Sequence, residues 1–171
     1  MEIQLTGGPG ATAARVALGS GETLTAEVGA MIAMDTAITV ETTSRKKGGK
    51  KGGLLKGIKR MFSGENFFLN HFMAHDDGQE IVVGPTLIGD IMHHRLDGET
   101  LVIQGSSWLA STAGIEIDTT WAGMSNALFS GEGVFWVKAT GTGDVLVNAF
   151  GAIYEVEVDG GYTVDTGHDR S

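Results

Sequence analysis

Arg45, Lys46, Lys47, Lys50, Lys51, Lys56, Lys59 and Arg60 fall within 16 positions, in a chain of 171 residues that has only 12 lysines and arginines. The net charge is −9, so the rest of the chain sets four basic residues against 21 acidic ones, a balance of −17. A compact cationic segment on an acidic body suits electrostatic capture of an anionic partner, either a membrane surface or an acidic protein. Near an anionic bilayer each Lys or Arg contributes about 1 kcal/mol. Leu54, Leu55, Ile58, Met61 and Phe62 alternate with Lys56, Lys59 and Arg60 at helical spacing, which would add apolar insertion. The plainer reading is a solvated loop whose apolar residues return to the core. Trp121–Phe129 keeps the apolar spacing without the charges, which favours the core for those residues. Nucleic acid is the weaker partner: Lys/Gly loops bind phosphate by counterion release, but no aromatic residues interleave the basic ones for stacking.

Other chemistries find less support. His71 and His75 share a strand face but lie roughly 13 Å apart along it, and the adjacent His93 and His94 point to opposite faces. No metal site is expected from them. Ser63-Gly64-Glu65 returns as Ser130-Gly131-Glu132, which suits a repeated turn better than a catalytic site. Residues 48–53, Gly-Gly-Lys-Lys-Gly-Gly, lack the spacing of a phosphate-binding loop. The absence of cysteine excludes disulfides, thiolate zinc sites and cysteine nucleophiles. We therefore expect no enzyme, no catalytic residues and no cofactor. A small-ligand module with a pocket between sheets, lined by Met and aromatic positions, is the alternative, although Met31, Met34, Trp108 and Phe135 read more readily as core. A hydrolase or metal enzyme ranks third.

The elements beneath these residues read as strands. Residues 21–43 return 77 positions later as 98–120 with eight identities in 23 positions, among them Gly21/Gly98, Leu24/Leu101, Ala33/Ala110 and Ile38/Ile115. The copy then continues at an offset of 67, so the first copy holds ten extra residues, within the cationic segment. Repeats of this kind set architecture before function. One domain over 1–171 is expected, with repeat 1 at about 21–96, repeat 2 at about 98–158, a partial third unit at 159–171 and the basic loop at 44–62. Alternation predicts strands at 13–18, 22–27, 38–42, 67–74, 79–84, 100–104, 115–119, 133–138, 144–148 and 152–157. Asp77-Gly78, Asp97-Gly98 and Asp159-Gly160 are read as tight turns. Short helical turns are expected at 54–62 and 121–128, each weakened by a glycine. With no signal peptide and no apolar run near the ~20 residues that span a bilayer, the expectation is a cytoplasmic protein, at most peripheral to a membrane.

VGAMIAM (28–34), LLKGIKRMFSGENFFLN (54–70), GDI (89–91) and VDTGH (164–168), in that order, resemble the family of the mitochondrial biogenesis protein named for altered inheritance of mitochondria (AIM, number twenty-four). The resemblance covers nearly the whole chain. It implies an all-β, internally repeated β-sandwich or barrel similar to the tryptophan RNA-binding attenuation protein (TRAP-like), without an established activity. The family's eukaryotic members are linked to mitochondrial inner-membrane organisation. Family chains usually continue past VDTGH with another apolar strand, whereas Asp169-Arg170-Ser171 ends this sequence. The expectation is that another element or subunit covers the last edge, which points to a homo-oligomer, with a trimer among the arrangements that fit.

Overall fold

Short runs of alternating apolar and polar residues, broken by glycine, become strands nearly throughout. A computed structural model describes residues 1–46, 51–52, 66–121 and 135–163. They form β1 (Glu2–Gly7), β2 (Thr12–Leu18), β3 (Thr23–Glu27), β4 (Met31–Met34), β5 (Thr39–Lys46), β6 (Lys51–Gly52), β7 (Asn66–Met73), β8 (Gln79–Val83), β9 (Gly89–Gln104), β10 (Trp108–Thr112), β11 (Ile115–Trp121) and β12 (Phe135–Phe150). Among the described residues the one helical element is a 3-10 turn at Gly105–Ser107. The protein is all-β, as its alternation predicts.

One sheet has the order β1-β2-β8-β4, and the larger runs β11-β12-β10-β3-β7-β5-β6, with β9 along β12. The ladders are antiparallel, so short turns suffice to connect neighbours. Ala14, Val16 and Leu18 of β2 and Ile81 and Val83 of β8 pack against Leu24, Phe72, Leu109 and Leu146 from the larger sheet. A second core gathers Leu96, Ile103, Trp108, Ile117, Val137 and Val145. Val145 and Leu146 are 0 % and 1 % exposed and point to opposite faces, so β12 is a wall shared by both cores.

The same ladders occur twice. Thr39 faces Met73, and 77 and 67 positions further on Glu116 faces Thr140. Thr23 also faces Met73, and Thr100 faces Thr140. Val16 faces Ile81, as His94 faces Val145, and Met31 faces Val83, as Trp108 faces Val147. Even the irregularity between Met31 and Ala33 recurs between Trp108 and Ala110. In the first set, Gly19-Ser20 precedes Gly21 between β2 and β3, and residues 74–78 separate β7 from β8. In the second, only Asp97 precedes Gly98, and only Gly141 and Thr142 remain between the matching strands. Too few residues are left to turn, so each pair fuses into one 16-residue strand.

That fusion corrects three expectations. Asp97-Gly98 lies inside β9 as an irregularity opposite Gly141, not in a hairpin turn. Residues 100–104 are the end of a strand that starts at Gly89, and 144–148 continue the strand that begins at Phe135. Residues 152–157 alternate like a strand but join no ladder among the described residues. Trp121, expected to open a helical turn, closes β11 opposite Phe135. The helical turn at 54–62, residues 122–128 of the other, and the Ser-Gly-Glu turns lie outside the described residues.

Candidate interaction surface

The basic segment grows out of the far edge of the larger sheet. Thr39–Lys46 pairs along its length with Asn66–Met73, and β6 then lies on β5, with Ser44 facing Gly52 and Arg45 facing Lys51. Arg45, Lys46 and Lys51 thus stand on a two-stranded edge. Lys47, Lys50, Lys56, Lys59 and Arg60 lie outside the described residues. A polar row stiffens the strands leading there. His71 Nδ1 lies 2.9 Å from the Thr25 hydroxyl and its Nε2 2.8 Å from that of Thr43. The Thr42 hydroxyl donates to Asn70 at 2.7 Å.

The remaining histidines stay apart. His75 Nε2 lies 3.1 Å from the Thr39 hydroxyl. His93 Nε2 lies 2.8 Å from Asp144, and His94 4.0 Å from Glu99. Asp144 also accepts Arg95 at 2.7 Å. The His93–Asp144 contact has the register of the Arg15–Glu80 ion pair, which spans 2.7 Å, so both copies place a base and an acid there. Among the described residues no cluster of three metal-ligating side chains forms.

Two clefts are formed by described residues. One of about 490 Å³ is lined by Glu22, Arg95, Thr112, Gly114, Thr142 and Asp144. The other, about 320 Å³, lies against Thr6, Ala13, Ile32, Leu87 and Ile88. Met31, Met34 and Trp108 line neither, and Trp108 is fully buried in the second core.

Residues 3–169 match the family described as Mitochondrial biogenesis AIM24. The chain belongs to the AIM24 family. Within 143 residues it is 31% identical to a relative from Streptococcus pyogenes serotype M6 that is itself described as uncharacterised, covering 82% of this chain. The chain spans 57% of that relative's length. It is also similar to the X-ray structure of protein SPYM3_0169 from Streptococcus pyogenes, with a TM-score of 0.71 at 22% identity, over 94% of this chain and 69% of the other. That likeness is one of fold.

Two features of this AIM24 chain escape sequence reading. Glu27, at the end of β3, is desolvated by burial, which pushes its carboxyl up to about 7. The repeat held the signal, because the matching residue is the neutral Gln104. Asp90 clasps three segments: the Thr12 hydroxyl donates to it, as do the amides of Gly10, Ile91 and Ile153, and its carboxyl is held below the usual range. Only the tertiary path brings those donors together. No described helix is long and apolar enough to cross a membrane, which leaves strands unaddressed.

Proposed function

We propose that this AIM24-family chain is a non-enzymatic interaction module whose basic segment, residues 45–60, engages an anionic membrane surface as a peripheral contact from the cytoplasm. The reading rests on Arg45 and Lys51, which face each other directly across the β5–β6 ladder. That register sets two of the eight clustered basic residues at one sheet edge. The doubled ladders support a second strand of argument. We read them as two copies of one TRAP-like unit, and only the first copy carries the ten extra residues and the charges. The matching stretch, 121–134, has no lysine or arginine. The frame therefore has no architectural need of the basic segment.

Cosedimentation with phosphatidylserine-containing and pure phosphatidylcholine vesicles tests the reading. Binding to the anionic vesicles alone, falling as salt rises, is expected. No binding to anionic vesicles rejects the membrane and favours an acidic protein; equal binding to both vesicle types rejects the electrostatic account.

A further inference from the structure

β1 lies along the outer edge of β2, with Ile3 opposite Val16 and Leu5 opposite Ala14. β9 holds towards β12 the register that β2 holds towards β8: Val16 faces Ile81, and His94 faces Val145. Yet among the described residues no strand lies along the outer edge of β9. From Asp90 to Leu96 this leaves a row of backbone donors and acceptors, and such an edge takes up another strand.

A strand without a sheet follows in the same chain. Residues 152–158, Ala-Ile-Tyr-Glu-Val-Glu-Val, alternate in polarity and pair with no described strand. Tyr154, Val156 and Val158 fall on one face of the extended chain and are 81%, 42% and 55% exposed. Glu155 and Glu157 fall on the other. The open edge offers the opposite charge in Arg95. Arg95 contacts Asp144 yet stays 65% exposed, which leaves guanidinium N–H donors available to a carboxylate.

The segment is badly placed to serve its own β9. β12 ends at Phe150, opposite Gly89, on the side already paired, and the Ile153 amide is tied to Asp90. Reaching the other side means crossing the chain that enters β9 from Ile88, and connections rarely cross in this way. The resulting ladder would also be parallel, whereas β1 on β2 is antiparallel. Exchange between two copies has neither fault.

We propose that two copies of the chain exchange residues 154–158, beyond the Ile153 amide that each keeps on its own Asp90, each laying the segment antiparallel along the outer edge of the other's β9, Ile91–Leu96. This is independent of the membrane reading. Light scattering of the full chain should give about twice the 17.9 kDa chain mass. Val156→Pro should give a monomer with an unchanged circular dichroism spectrum, because the segment forms no ladder within one copy. The Glu155→Lys/Glu157→Lys pair should weaken association about tenfold and make it more salt-dependent. Hydrogen exchange at 91–96 should be slow in the wild type and fast in Val156→Pro. A monomeric wild type overturns the proposal, whether or not 154–158 is protected from exchange. So does a dimer that Val156→Pro leaves intact.

Discussion

Glu27 ends β3 in a position where its counterpart carries an amide, and burial raises its carboxyl from 4.5 to about 7. The folded state therefore holds a proton that the unfolded chain releases near pH 4.5. Between pH 4.5 and 7 stability falls as pH rises, and the loss is complete above 7. Glu27→Gln should remove that loss, raising stability at pH 8 by about 1–2 kcal/mol once solvent screening is allowed for, with little effect at pH 4. Thermal melts of both proteins across this range check it. Asp90 and Glu99 act in the opposite direction. Hydrogen bonds, from the Thr12 hydroxyl first and from the Asp97 amide first, hold their carboxyls low. Their contribution is present above the unfolded carboxylate pKa and is lost as pH falls through the lowered values, so the melting temperature should also drop at strongly acid pH. Ser111 is another local test. It is buried and its hydroxyl has no partner among the described residues. Ser111→Ala should stabilise by about 1 kcal/mol, read from the urea midpoint.

At the scale of elements, β9 and β12 show what pattern reading captures and what it misses. Alternation located β2, β3, β8 and β11 because each buries one face and wets the other; it also located β5, whose Val40 stays 44% exposed, and β7, whose Leu69 and Phe72 are buried on opposite faces. It missed β4, whose Met31-Ile32-Ala33-Met34 is apolar throughout, and β10, whose Trp108–Ser111 is buried on both faces and so shows no alternation. It found only 100–104 of β9, with Asp97-Gly98 read as a turn, and split β12 into 133–138 and 144–148 around Gly141. The missing linker residues, already countable by aligning the two copies, mark these sites as irregularities within a strand. Gly141 makes the irregularity work: its φ is +125°, and a Cβ there would lie 2.2 Å from the Gly114 carbonyl oxygen. Gly141→Val should therefore cost about 2–3 kcal/mol, seen as a lower urea midpoint.

For the whole molecule, charge segregation was the most legible feature and the three-dimensional site the least. The eight clustered cations were countable. That Arg45 faces Lys51 on a sheet edge follows from the β5–β6 register, a pairing only six residues apart that no apolar alternation marks. Nor could the sequence show that His71 bridges two threonine hydroxyls, because Thr25 and Thr43 come from strands on either side of β7. In the proposed function the doubled β frame is a support that holds a cationic edge towards an anionic surface. The most direct test compares wild type with the variant in which Arg45, Lys46, Lys47, Lys50, Lys51, Lys56, Lys59 and Arg60 are all replaced by Gln, on the same phosphatidylserine vesicles. The frame should fold unchanged by circular dichroism while vesicle binding is lost. A variant that folds and sediments with the vesicles as fully as wild type would contradict the account.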